Sequence, residues 1–214
     1  MEYPKIETLL ERDERFNVTD RLRNPVIGTI ATWDVTEKIN GMNIRVMLSK
    51  EGELSFGGRT DNASIPASLL TVLFDMFMLE NMKKCFWLNH QPVSAILYGE
   101  GYGAGIQKGG GDYNKDKSFR LFDVLIEDKY WMNWENTCDV ARKLRIKTVP
   151  YLGRWTLEQI IKNVKAGIFS ETAIQESGLN VQAEGIVGRT IEPLFDKRGR
   201  RVIIKLKTND FKHK

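Results

Sequence analysis

Segments whose apolar residues recur every second position run through this chain in pairs, and segments with a helical apolar period stand between the pairs. That order restricts the fold more than any other feature of the sequence. Residues 33–48 read as two strands joined by a turn at Asn40-Gly41. Residues 93–100 and 119–126 read as strands, and 181–189 with 201–207 as a closing pair about a turn near 197–199. One helical pattern covers 66–84, with Ser64 as its N-cap and Leu69, Leu70, Leu73, Phe74 and Phe77 on its apolar face. A second covers 135–144. A third begins at a capping box made by Thr156 and Gln159 and stops at Gly167, and a fourth spans 171–177 and stops at Gly178. Paired strands with helices inserted between them predict an α+β fold, with two largely antiparallel sheets flanked by helices. No linker rich in Pro, Gly or Ser divides the 214 residues, so one domain over 1–214 is expected.

Composition narrows the class of function. With 42% hydrophobic and 28% charged residues the chain reads as a soluble globular protein. The longest apolar stretch, 69–79, is interrupted by Asp75 and suits a core helix better than a membrane span. The first residues, MEYPKIETLLERDER, lack the basic start and apolar core of a secretory leader. Cys85 and Cys138 lie far apart and read as reduced thiols of a cytoplasmic protein. His90 and His213 are isolated, which argues against zinc and against triad chemistry. A net charge of +4 is compatible with a polyanionic partner.

Five segments carry chemistry. In EKINGMNIRV (37–46), Lys38 stands beside a turn at Gly41, after which Asn43 and Arg45 share one strand face. A lysine becomes a nucleophile when its nitrogen loses a proton, which nearby cations promote. In ILYGEGYGAGIQKGGG (96–111), a strand delivers Glu100 into a glycine-rich loop bearing Gln107 and Lys108; it matches neither a P-loop nor a Rossmann fingerprint. RLFDVLI (120–126) predicts Leu121, Asp123 and Leu125 on one face, Phe122 and Val124 on the other, with Phe122 either stacking on a base or filling the core. AEGIVGRT (183–190) sets the carboxylate of Glu184 in an apolar strand, where it needs a cation, a metal-bound water or a hydroxyl. RVIIKLKTNDF (201–211) puts Lys205 and Lys207 side by side, an arrangement suited to an anion between them or to a solvated edge strand.

Singly these words are short, but their order is specific. A lysine turn, then GGRTDN with Arg59, then Y-G-E-G, F-D-V, E-G-I-V and K-L-K resembles the ordered motifs of the covalent nucleotidyltransferases, which include DNA ligases, RNA ligases and mRNA capping enzymes. Within that superfamily the chain is most similar to the bacteriophage RNA ligase 2 family. The likeness rests on EKINGMN, FGGRTDNASIP, GEGYGAGIQKGGGDYNKDKSFRLFDV, VPYLGRW and AEGIVGR with IIKLK, and covers roughly 33–211.

The resemblance implies a nucleotidyltransferase ligase core, ATP-grasp-like in outline, that uses ATP and magnesium, with manganese as an alternative ion. Lys38 would attack the α-phosphorus of ATP and carry AMP. Glu37, Ile39 and Gly41 would line the nucleotide pocket, Phe122 would stack on adenine, and Glu100 would hold the ribose. Asn43 and Arg59 would act near the phosphate and the RNA end, with Gln107 and Lys108 as further nucleic-acid contacts. Glu184, with Glu100, would hold the metal, and Lys205 and Lys207 the α-phosphate. AMP would then pass to an RNA 5′-phosphate, and a 3′-hydroxyl would displace it. The implied partner is RNA, in a nicked duplex or a broken structured molecule, with no membrane involved, in the cytoplasm of a cell or of a virus's host. Two departures stand out: Asn40 replaces the Asp that many ligases carry, and the sequence stops soon after Lys207, where many relatives continue into an OB-type domain. A partner protein could replace that domain. A minimal DNA ligase and a non-catalytic nucleic-acid-binding module are the competing readings.

Overall fold

The computed structural model describes every residue except Phe16, Leu88, His90 and residues 212–214, so the two histidines weighed above lie outside the described residues. Twelve strands and six α-helices follow one another along the described chain. The first strands are β1 (Glu7–Thr8), β2 (Leu10–Arg12), β3 (Val18–Leu22), β4 (Trp33–Lys38), β5 (Met42–Leu48) and β6 (Leu54–Gly57). Then come α1 (Ala67–Met76), α2 (Leu79–Phe86), β7 (Ala95–Tyr102), α3 (Gly110–Tyr113), β8 (Ser118–Ile126), β9 (Tyr130–Trp131) and α4 (Trp134–Leu144). The chain closes with β10 (Tyr151–Trp155), α5 (Leu157–Ala166), α6 (Glu171–Ser177), β11 (Gly185–Arg189) and β12 (Ile203–Lys207). This is the expected α+β class.

The elements form two compact units. The first comprises Met1–Tyr3 and Asn40–Val149, the second Pro4–Ile39 and Pro150–Lys214. Each has its own five-stranded sheet. In the first the order is β6-β5-β7-β8-β9, all antiparallel. In the second it is β1-β12-β11-β4-β10, antiparallel but for the β1–β12 pair. Strands β4 and β5 therefore do not pair. The Asn40-Gly41 turn read as a hairpin instead passes the chain from one sheet to another. The glycine there is needed for space: a Cβ at Gly41 would lie 2.4 Å from the Gly101 carbonyl oxygen and 2.8 Å from Glu100 Cγ.

The first unit's core gathers Ile44, Val46, Leu69, Leu73, Met82, Leu97, Phe119 and Leu121 beneath the helices. The single helix expected over 66–84 is two helices, because Phe77 and Met78 leave helical geometry between α1 and α2. The break lets Phe77 reach Phe119 edge-on at 5.2 Å while Met82 and Phe86 face the same core. Packing outweighs propensity here. Ser64 does not cap α1. Pro66 occupies the cap position, with φ near −56° and no side-chain hydrogen bond, a backbone already set for a helix start. Phe74, expected on the buried face, is 59% exposed and touches Phe56.

A register shift between Tyr98 and Gly99 leaves Phe122 as the extra residue of a bulge in β8. The simple alternation expected there fails: Leu121 and Val124 join one core, while Phe122 packs edge-on against Tyr3 at 5.1 Å and Asp123 accepts the Tyr3 hydroxyl at 2.8 Å. In the second unit, Leu9, Leu10, Trp33, Val35, Ile160, Val164, Ile186, Ile204 and Leu206 are buried together under α5. The capping box on α5 is present, with Thr156 and Gln159 each bonding the other's backbone N–H. No helix among the described residues is long and apolar enough to cross a membrane.

Candidate active site

In the second unit three adjacent strands bring the expected catalytic residues into one row. Lys38 at the end of β4 is registered with Gly185 of β11, and Gly185 with Lys207 of β12. Gly185 separates the two lysines without a side chain of its own, and none would fit: a Cβ there would lie 2.2 Å from the Leu206 carbonyl oxygen, on a backbone with φ +155°. Both lysines can then reach Glu184, the residue just before the strand. Lys38 Nζ lies 2.5 Å from one carboxylate oxygen and Lys207 Nζ 2.7 Å from the other. The Glu184 side chain is 18% exposed. Its burial opposes ionisation, but the charge of Lys38 and hydrogen bonds from Lys207 and Lys38 win, and the carboxyl is held below its usual range. Lys205 lies two residues before Lys207, registered with Val187.

Glu37 turns out differently from a residue with free oxygens. It is buried, and its carboxylate accepts the Ser170 hydroxyl at 2.5 Å and the Thr172 N–H at 3.0 Å. Ser170 in turn accepts the Ala173 N–H at 3.0 Å, so one hydroxyl caps α6 and ties it to β4. Ser170 carried no role in the sequence reading, although a serine directly before a helical pattern is a recognisable cap signal. Beside it the buried Thr172 hydroxyl oxygen has no partner among the described residues, and Ile39 is buried. Other polar pairs at buried residues left no such signal. Asp34 accepts from Tyr151 and Arg154, both at 3.0 Å, and Arg189 donates to Thr36 at 2.9 Å.

The first unit holds the remaining candidates. Asn43 of β5 is registered with Glu100 of β7, and Glu100 with Arg120 of β8. The Asn43 amide oxygen is buried with no partner among the described residues, an orphan that fits a donor from outside the protein. Arg120 is spent within the fold, on the Tyr102 hydroxyl and the Thr148 carbonyl. Arg45 is buried and holds the Gly58 carbonyl and Asp61, so it braces the loop that carries the exposed Arg59. Asn40 donates its amide to the Lys108 carbonyl at 3.1 Å, joining the turn to the glycine-rich loop, where Gln107 and Lys108 are exposed. Phe122 is buried against Tyr3. Among the described residues no group of three or more His, Cys, Asp or Glu could hold a metal unaided.

A family model described as RNA ligase matches residues 31–207, which include Lys38, Glu100, Glu184 and Lys207. The chain belongs to the RNA ligase family. Solved structures of a Naegleria gruberi RNA ligase share its fold. A variant of that enzyme solved with ATP and Mn superimposes with a TM-score of 0.66 at 23% identity, over 97% of this chain and 60% of the other. A variant with AMP and Mn gives 0.66 at 21%, over 97% and 60%. The form with PPi gives 0.65 at 21%, over 98% and 62%. This chain thus spans about three-fifths of the length of those proteins.

Proposed function

We propose that this RNA ligase family member joins RNA 3′-hydroxyl and 5′-phosphate ends at the expense of ATP, with Lys38 as the residue that becomes adenylated. The observation that carries the reading is the row Lys38–Gly185–Lys207 with Glu184 bridging its two ammonium groups. Phosphoryl transfer depends on alignment and on positive charge around the phosphates. Lys38 supplies the amine, and Lys205 and Lys207 supply fixed charge. A paired ammonium has no lone pair, so Lys38 must leave Glu184 and lose a proton before its nitrogen bonds the α-phosphorus and the bond to pyrophosphate breaks. The lysyl-linked AMP then passes to the RNA 5′-phosphate, and attack by the 3′-hydroxyl releases AMP and seals the strand.

A divalent ion, magnesium or manganese, would add charge at the phosphates. Glu184 fits it as a carboxylate donor, with phosphate and water oxygens completing the shell. The orphaned Asn43 oxygen supports a ligand contact at that residue. Phe122 is assigned to the base, Glu100 to the ribose, Glu37, Ile39 and Gly41 to the pocket wall, and Arg59, Gln107 and Lys108 to the nucleic acid. The proposed substrate is a nicked duplex or broken structured RNA, with a partner protein standing in for domains that longer ligases carry. The free cysteines support a cytoplasmic setting; burial pushes the Cys85 thiol up to about 11, which keeps it protonated and unreactive.

Incubation with α-labelled ATP should leave label on the protein, and Lys38→Ala should reduce it to background. Label on that variant at the unmodified level would refute Lys38 as the nucleophile. Sealing of nicked duplexes with RNA or DNA at the 3′-hydroxyl side then reads the polymer preference.

A further inference from the structure

We propose that the basic segment closing α4, with Arg142, Lys143, Arg145 and Lys147, is a further contact surface for a nucleic-acid phosphate backbone. The proposal rests on the nucleic-acid reading above. Four cations occupy the six positions 142–147 with no acid among them, and all four are exposed. Helix α4 buries Thr137, Val140, Ala141 and Leu144 at helical spacing, which turns Arg142 and Lys143 outward. Asp139 is shared by those two, at 2.7 Å and 2.8 Å, so one negative charge faces two positive ones.

Arg145 is the anomaly. It ends the helix in the left-handed region, φ 56° and ψ 38°, and its N–H meets the carbonyls of Ala141 and Arg142. Glycine or asparagine suits that position, and a larger side chain carries a steric cost. Yet the exposed Arg145 guanidinium makes no ion pair among the described residues, so nothing within them offsets the cost. A local rule broken without an internal gain points to an external one. The helix dipole accounts for cations in the last turn, Arg142 and Lys143, but Arg145 lies beyond it.

The backbone under these cations is fixed. Ile146 N–H bonds the Ala141 carbonyl at 3.0 Å, and its side chain packs on the first unit's core. The Lys147 carbonyl accepts the Leu121 N–H at 2.9 Å, and Thr148 accepts Arg120. Evenly exposed cations on a rigid segment suit a polyanion read by charge rather than by sequence.

The test measures binding of labelled nicked RNA duplex across a salt series for the unmodified protein, Arg145→Gly, and Arg145→Gln with Lys147→Gln. The slope of log affinity against log salt should become shallower by about one for the first variant and about two for the second. Labelling from ATP should stay unchanged in both. Arg145→Gly relieves the backbone, so its melting temperature should hold or rise by about 2–4 °C, which separates lost charge from lost structure. Unchanged affinity and slope in both variants would overturn the surface, as would failure of the unmodified protein to bind the duplex. Loss of binding to phosphatidylserine vesicles with RNA binding intact would overturn it in favour of a lipid. If the unmodified protein takes no label from ATP, the ligase reading fails alone, and the slopes still judge the surface.

Discussion

Glu184 sits between two ammonium groups in a setting that is mostly out of water, and each of those facts pulls on its proton in a different direction. Burial alone would raise its pKa; the pairing with Lys38 and Lys207 overcomes that and lowers it below the ordinary 4.5. A carboxylate whose folded pKa is depressed adds stability that is fully present above its unfolded value and is lost as pH falls through the lower folded one. Glu184→Gln should therefore melt at a lower temperature than the unmodified protein near neutral pH, since Lys38 and Lys207 would face each other without a counter-charge. The gap should narrow as pH falls below the ordinary 4.5 and through the lowered folded value of Glu184, where the unmodified carboxyl also becomes neutral. Thermal melts of both proteins from near neutral pH down through the carboxylate range, about 4 for unperturbed side chains, measure this, and a gap that stays constant would show that the ion pairs contribute nothing to the difference. This triad was only partly legible in the sequence. The lysines, the glutamate and the glycine stand out as words, but that one carboxylate serves both lysines follows from strand register, which no spacing reveals.

Two helix caps of similar sequence should differ sharply in what they are worth. Thr156 caps α5 at the surface, with a hydroxyl that water can partly replace. Ser170 caps α6 while fully buried, and also donates to the buried Glu37. Thr156→Ala should cost about 1 kcal/mol, an ordinary cap. Ser170→Ala should cost roughly 2–4 kcal/mol, because it removes a cap and leaves a buried carboxylate short of a donor. Denaturant unfolding of the two variants compares them, and equal losses would refute the coupling of α6 to β4. At this scale the sequence was informative where one element answers to its own periodicity, as α4, α5, α6 and β12 do. It failed where a neighbour decides. The break at Phe77-Met78 exists because two helical faces must meet one core. The bulge at Phe122 exists because β7 and β8 slip register. Strand β10 is short and interrupted by Gly153, so it shows no alternation, and its pairing with β4 shifts between Tyr151 and Gly153.

The two units differ in how the chain builds them, and that difference has a consequence for folding. Apart from Met1–Tyr3, the first unit is one continuous run, Asn40–Val149, and its five strands all lie inside that run. The second takes residues from both sides of it, and its sheet order places β4, from before the first unit, between β11 and β10, from after it. Removing β4 would strip β10 of its strand neighbour, leave β11 paired on one side only with β12, and take Trp33 and Val35 out of the core. A fragment spanning 40–149 should accordingly fold alone, with strand and helix content and a cooperative melt, though it loses the Tyr3 contacts with Tyr98, Phe122 and Trp131. A fragment spanning 150–214 should stay unfolded or aggregate, and adding a fragment that spans 1–39 should restore protected amides in β11, because it returns the missing central strand. Hydrogen exchange on the separate and mixed fragments reads both outcomes. Independent folding of 150–214 would mean that β10, β11 and β12 can close a core without β4. Lys38 would then be held in place by a sheet that does not need its strand, and the row that aligns it with Gly185 and Lys207 would owe its geometry to something other than strand pairing.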